Sequence, residues 1–159
     1  MEFKRRKPAE LFAQYRNILR QLQAQGIIRT DNPPSAGWAE YLTLRVYDGT
    51  LPPPSQKGWD VQARDKRRLQ VKSRVLSDPP KSGQRQLSAI SNFDFDVLVV
   101  VLLSDVDYSV VRAVELPMPA AKRIAKPLKK GYRIMATDDN LAAGIDMTER
   151  FRVVARSLN

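Results

Sequence analysis

The chain has 159 residues, no cysteine, no histidine and a net charge of +10. Without these two residue types it can form no disulfide, no zinc site of thiolates or imidazoles, and no catalytic triad built on histidine. Catalysis must therefore use carboxylates, Lys, Tyr, Ser or a hard metal ion bound by oxygen, and the positive charge favours nucleic acid as the partner.

The length and apolar content predict one domain, residues 1–159, with a hydrophobic core of its own. No run of apolar residues is long enough to span a membrane, and the basic N-terminus lacks the apolar stretch of a signal peptide. The absence of cysteine is typical of a reducing compartment, so we expect an intracellular, cytoplasmic location and no membrane partner.

Residues 1–30 predict a basic arm followed by a helix. The arm, EFKRRK, fits either a solvated tail or a segment that contacts DNA. From Pro8 onward, Leu11, Tyr15, Ile18 and Leu22 recur at helical spacing and define one apolar face. Gly26 is a suitable C-terminal stop.

A second helix is predicted after the Pro33-Pro34 pair, with Ser35 as its N-cap. Trp38, Tyr41, Leu42 and Val46 give this helix an apolar stripe, and Glu40 lies in its middle. Glu40 is either a surface acid paired with a basic group or a metal ligand.

Two short strands are predicted between residues 57 and 74, after an extended proline-rich loop at 51–56. Asp60 lies in the first strand, and Gln70 and Lys72 lie in the second. Residues two apart in a strand point to the same face, so Gln70 and Lys72 are neighbours. A carboxylate, a carboxamide or backbone oxygen and an ammonium are the groups that metal-assisted phosphodiester cleavage requires.

Basic residues surround this pair of strands and recur near residue 125. Their density beside a candidate phosphodiesterase site favours phosphate contacts, although charged hairpin tips and helix faces also serve solubility alone. The candidate nucleic-acid-binding residues are Lys57, Arg64, Lys66, Arg67, Arg68, Arg74, Lys122, Arg123 and Lys126.

The second half of the chain predicts a buried strand and the elements around it. Residues 97–103 are seven successive apolar residues, mostly β-branched, which indicates a strand buried on both faces of a sheet. The remaining expectations are a short helix beginning in 85–90, an antiparallel strand at 108–116, a helix at 117–128, an edge strand at 132–136 and a C-terminal helix at 146–159.

The order Glu40, Asp60, Gln70-Val71-Lys72 resembles the PD-(D/E)XK, or restriction endonuclease-like, nuclease superfamily, as an Asp-x9-Gln-x-Lys variant. The likeness covers roughly residues 35–116. It implies an α/β fold with a central mixed sheet flanked by helices, a Mg²⁺ or Mn²⁺ cofactor bound by Asp60, Glu40, Gln70 and the backbone of Val71, and catalysis by Glu40, Asp60, Gln70 and Lys72. Gln70 stands where the family usually has Asp or Glu, which removes one charge from the metal site.

Two functions follow from these observations. The first is a metal-dependent endonuclease acting on DNA, most simply duplex DNA, for which a homodimer would match the two-fold symmetry of the duplex. The second is a catalytically inactive module of the same fold that only binds DNA or RNA. An antitoxin-like interaction protein is a third class, which the positive charge disfavours.

Overall fold

The computed structural model describes residues 5–158. The predicted basic arm at residues 2–7 therefore lies partly outside the described residues. The elements are α1 (Pro8–Ala24), α2 (Pro34–Val46), β1 (Val61–Gln62), β2 (Arg68–Leu76), β3 (Val97–Ser104), β4 (Val110–Pro117), α3 (Met118–Ile124), β5 (Lys126–Pro127), β6 (Tyr132–Arg133), α4 (Asp138–Leu141), β7 (Ile145–Asp146) and α5 (Thr148–Ser157).

A five-stranded mixed sheet forms the centre of the molecule, in the order β1-β2-β3-β4-β7. Strands β2 and β3 are parallel, and the other neighbours are antiparallel. Seven consecutive residues of β3 are buried, which confirms the prediction of a central strand at 97–103. The mixed α/β architecture is confirmed with it.

The two faces of the sheet carry separate hydrophobic clusters. Val97, Val99, Val101 and Leu103 pack under α2 and α5. The intervening residues of β3 face α3, α4 and the segment 87–95. Because side chains alternate along a strand, a strand covered on both faces must be apolar throughout. No helix in the described residues is long and apolar enough to cross a membrane.

Helix α1 forms where the sequence predicts it, but most of its apolar face is not buried. It begins at Pro8 and ends before Gly26, whose φ of 72° reverses the chain. Leu19 is buried, whereas Leu11, Tyr15 and Ile18 are exposed. The helical spacing of the apolar residues therefore predicted the position of α1, but it did not show that most of this apolar face is exposed.

Helix α2 begins two residues earlier than expected. Pro34 is its first residue and Pro33 occupies the N-cap position, so the prediction of Ser35 as the cap is wrong. Proline fits the first helical position because its fixed φ is helical and its missing N–H has no intrahelical partner there. Ala39, Leu42 and Thr43 are buried against the sheet, which leaves Glu40 at the border between core and solvent.

Several shorter predictions need correction. No helix forms at 85–90, where Gln86 and Ile90 instead make β-bridges to Met135 and Tyr132. The edge strand at 132–136 shortens to β6, which pairs with β5 in a separate two-stranded sheet. The helix predicted at 117–128 is α3, which ends at Ile124, and the helix predicted at 146–159 is α5, within Thr148–Ser157.

Candidate active site

The candidate site lies at the edge of β2, beyond the end of β1. Within the described residues, β1 pairs with β2 only at Arg68 and Leu69, so the edge of β2 is uncovered by β1 from Gln70 onward. Asp60 immediately precedes β1, and its N–H donates to the carbonyl of Leu69 at 2.8 Å. This bond fixes the backbone of Asp60 at the point where the edge of β2 opens.

Asp60 is held by hydrogen bonds through one of its two carboxylate oxygens. Its Oδ2 accepts from the backbone N–H of Val71 at 2.8 Å and from Nε2 of Gln70 at 2.9 Å. An ionised carboxylate only accepts hydrogen bonds, so the amide of Gln70 must turn its NH₂ toward Asp60 and its Oε1 away. Asp60 Oδ1 accepts no hydrogen bond from residues 5–158.

Val71 adds a backbone oxygen to the same edge. Its N–H points to Asp60 rather than into the sheet. The N–H and C=O of one residue in a strand point to the same side, so the carbonyl of Val71 also faces the open edge. Asp60 and Val71 therefore both present oxygen atoms at this edge, and Oε1 of Gln70 lies on the side of its amide that is turned away from Asp60.

Glu40 approaches this group from α2. Its Oε2 lies 3.5 Å from Nη2 of Arg29, a long ion pair between partly exposed side chains. Burial raises the pKa of Glu40, and repulsion by Asp60 raises it further. Burial likewise raises the pKa of Asp60, against the lowering effects of the Val71 N–H and of Lys72. Asp60 is thus close enough to Glu40 to oppose the ionisation of Glu40.

Lys72 completes the group, and its ammonium is positioned by the segment that follows β2. Nζ donates to Oγ of Ser88 at 3.0 Å and to the carbonyl of Ala89 at 3.1 Å. Burial lowers the pKa of Lys72, while Asp60 and Glu40 raise it. Ser88 was not predicted, because its segment is held beside Lys72 by the pairing of Gln86 with Met135 and of Ile90 with Tyr132.

These groups line one cavity of about 210 Å³. The structure therefore brings all four predicted catalytic residues and Val71 together. The residues that line the cavity are Ala36, Glu40, Asp60, Gln70, Val71, Lys72, Ser73 and Ser88.

The donor set fits a hard divalent cation. Two carboxylates, a carboxamide oxygen and a backbone carbonyl are the ligands that Mg²⁺ and Mn²⁺ prefer. A cation would also relieve the repulsion between Glu40 and Asp60. In the described part of the chain no group of three or more His, Cys, Asp and Glu side chains is placed to share a metal, so this set depends on the neutral oxygens of Gln70 and Val71.

The predicted nucleic-acid-binding residues divide into two sets. Arg67 pairs with Asp65 and Glu115, the side chain of Arg68 donates two hydrogen bonds to Asp96, and Arg74 donates to the carbonyl of Gln86. That these three arginines bind nucleic acid stays a prediction. To bind phosphate, each of them would have to give up the protein contacts just described. The second set is exposed, as Arg68 is, and consists of Lys57, Lys66, Lys122, Arg123, Lys126 and Arg64, the last at 3.4 Å from Asp48.

Comparison with known proteins yields neither a matching protein-family model nor a matching curated protein. The chemical interpretation of the site accordingly depends on the geometry at the edge of β2. That geometry consists of two repelling carboxylates, two neutral oxygens and an ammonium around one cavity.

Proposed function

We propose that this chain is a metal-dependent nuclease with a restriction endonuclease-like core that hydrolyses phosphodiester bonds of DNA. The observation that carries the proposal is the convergence of Glu40, Asp60, Gln70 and Lys72 on one cavity. Burial raises the pKa of both carboxylates, and repulsion by Asp60 adds to the rise at Glu40; such perturbation is a feature of functional sites. The mixed sheet, with this cavity at its open edge, supports the proposed fold.

Each residue has a chemical role in this proposal. Asp60 Oδ1, Glu40, Gln70 Oε1 and the carbonyl of Val71 would hold Mg²⁺ or Mn²⁺. When bound, such an ion supplies Lewis acidity toward a phosphate oxygen and lowers the pKa of water. Lys72, held by Ser88 and Ala89, directs its ammonium into the cavity and stabilises negative charge on the phosphate.

The exposed cations support DNA as the proposed substrate. Lys57 and Lys66 precede and follow Asp60 in sequence, and Lys122, Arg123 and Lys126 lie on and after α3. Each phosphate contact on duplex DNA contributes about −0.9 to the slope of log K against log salt. Six contacts would weaken binding about a thousandfold between roughly 50 and 200 mM salt.

Plasmid nicking with Mg²⁺ or Mn²⁺, compared with EDTA, tests the proposal directly. The wild type should convert supercoiled plasmid to nicked or linear DNA only when the metal is present. Lys72→Ala should lose this activity, and Lys81→Ala, which removes an exposed lysine outside both the cavity and the candidate nucleic-acid-binding set, should retain it. A wild type that neither nicks DNA nor binds Mn²⁺ at millimolar concentration would reject the proposal.

The hydrogen bond from Gln70 to Asp60 favours a second candidate, a binding module without catalysis. Here a neutral amide occupies the position of an acid and satisfies Asp60 Oδ2 without a cation. Such a module would bind DNA or RNA with the same steep salt dependence and would not cut either. Gel shifts in EDTA, run beside the nicking assay, separate the two functions, because only the nuclease also cleaves.

A further inference from the structure

A second, larger cavity adjoins the candidate active site. It has a volume of about 400 Å³ and lies between the α1–α2 loop, helix α2 and the proline-rich loop. The two cavities share Ala36 and Glu40 in their walls. The larger cavity therefore adjoins the site on the α2 side, and its volume lies in the range of small-molecule sites.

The walls of this cavity combine an aromatic ring and apolar side chains with one cation. Tyr41, Leu44, Leu51 and Pro54 line it, and Arg29 lies beside Glu40. The ring of Tyr41 stacks on Trp38, with centroids 6.2 Å apart and planes 14° apart, which holds it in a defined orientation. The guanidinium of Arg29 thus lies on the side of the cavity that faces the active-site carboxylates.

Arg29 is placed to exchange its present partner for a phosphate. Its 3.5 Å pair with Glu40 is long, and 61% of the Arg29 side chain is exposed. Exposed ion pairs of this kind contribute little to stability, so the guanidinium can leave Glu40 at small cost. Arginine is also well suited to bind phosphate oxygens through two N–H groups.

We propose that this cavity binds one unpaired nucleotide of the substrate, with the base against Tyr41 and a phosphate at Arg29. The inference rests on the proposed nuclease function, since it places this nucleotide next to the phosphodiester that is cut. The base of a paired nucleotide is stacked inside the duplex and enters such a cavity only after it is extruded. Single-stranded overhangs are therefore preferred over blunt duplex ends.

Binding can be measured without cleavage by fluorescence anisotropy in EDTA. The probes are a blunt labelled duplex and the same duplex with a four-nucleotide 5′ or 3′ overhang. One stacked base and one phosphate contact should make the wild type bind an overhang about tenfold more tightly than the blunt end. Equal affinities for all three probes at matched salt would overturn the proposal.

Variants identify the cavity as the source of the preference. Tyr41→Leu should remove most of it and Tyr41→Phe should keep it, whereas Tyr15→Leu, at an exposed position on α1, is the matched control. Arg29→Gln should reduce the preference, and Arg156→Gln, which removes a similarly exposed guanidinium that pairs with Glu149, should not. Thermal unfolding of each variant checks that it is folded. A preference unchanged in both Tyr41→Leu and Arg29→Gln would reject this site.

Cleavage with Mn²⁺ separates failure of this inference from failure of the nuclease proposal. An overhang preference that Tyr41→Leu and Arg29→Gln abolish, in a protein that cuts nothing, would support nucleotide binding and reject the nuclease. Equal binding and cutting of blunt and overhang duplexes would support the nuclease and reject the nucleotide site.

Discussion

Two clusters of ionisable side chains in this protein contain similar residues but differ in how many hydrogen-bond partners their carboxylates have. In the first, which we name the Glu115 cluster, Glu115 Oε2 accepts from the hydroxyl of Tyr47 at 2.6 Å and Oε1 accepts from Arg67 at 2.9 Å. In the second, the Asp60 cluster of Glu40, Asp60, Gln70 and Lys72, Asp60 has one oxygen without a hydrogen bond from residues 5–158.

The two clusters differ in whether the fold itself compensates the charge of the carboxylate. Glu115 is buried, and each of its oxygens has a partner, so its charge is compensated within the fold. Burial and the neighbouring carboxylate raise the pKa of Tyr47, which keeps its hydroxyl protonated as a donor. Glu40 and Asp60 instead repel each other, and this cost to stability is typical of sites that bind something else.

The largest expected effect is the loss of cleavage on changing Asp60 to Asn. Asn preserves the size of the side chain and an oxygen that can accept from Val71, so the fold should be retained. It removes a charge that would contact the metal directly, so the loss of metal-dependent nicking should exceed the roughly 10–100-fold effect of residues that only orient ligands. Initial rates of plasmid nicking at saturating Mn²⁺ measure it.

The matched control is Asp138→Asn, at a surface acid that pairs with Arg112 outside the cavity. This variant should cut at the wild-type rate. If Asp60→Asn also cuts at the wild-type rate, the Asp60 cluster is not the catalytic site.

The opposite behaviour is expected in the Glu115 cluster. Arg67→Met should leave the buried carboxylate of Glu115 with Tyr47 as its one partner and destabilise the fold by about 2–3 kcal/mol. This loss is smaller than the roughly 3–5 kcal/mol for breaking a fully buried ion pair, because Arg67 is partly exposed. Arg68→Met breaks the more exposed pair of Arg68 with Asp96, and a much smaller loss of stability is expected. Urea denaturation measures both, and equal losses would contradict the distinction.

Gln70→Glu sharpens the comparison because it adds negative charge to the Asp60 cluster. The change replaces the amide that donates to Asp60 with a third acid, so the metal-free protein should be less stable. The added charge should tighten Mn²⁺ binding by about tenfold, or roughly 1.4 kcal/mol. Isothermal titration calorimetry measures the affinity, and unfolding in EDTA measures the stability.

Gln62→Glu is the control for this variant, because Gln62 lies in β1 outside the cavity. It should leave Mn²⁺ affinity unchanged. A tenfold gain in both variants would indicate a general effect of charge, and a gain in neither would remove Gln70 from the ligand set.

Local sequence features were sufficient to predict the core of the fold and the central residues of the site. Seven apolar residues predicted β3, and the two-residue repeat placed Gln70 and Lys72 on one face of β2. These predictions succeed because the alternation of side chains along a strand is a local property.

Contacts between distant segments could not be predicted in this way. Arg67 was predicted to bind nucleic acid from the charge of its hairpin, but its partner Glu115 is 48 residues away. The helix expected at 85–90 is replaced by bridges to 132 and 135, and those bridges bring Ser88 to Lys72. No periodicity within either segment indicates such pairing.

The smallest expected effect is a gain in stability when Glu40 becomes Gln. Because the folded-state pKa of Glu40 is raised, the folded state binds more protons than the unfolded state between the ordinary and the raised pKa. The ionised carboxylate therefore destabilises the fold increasingly as pH rises through that window, and the cost is absent below the ordinary pKa.

Glu40→Gln removes this cost and should be more stable than the wild type by about 1 kcal/mol at pH 7 in EDTA, with a smaller difference at pH 4. The lost pair with Arg29 offsets little of the gain because both side chains are partly exposed. Glu149→Gln, at an exposed acid that pairs with Arg156, should show no comparable gain. Thermal unfolding across this pH range measures the difference, and a Glu40→Gln variant less stable than the wild type at pH 7 would mean that Glu40 is compensated like Glu115.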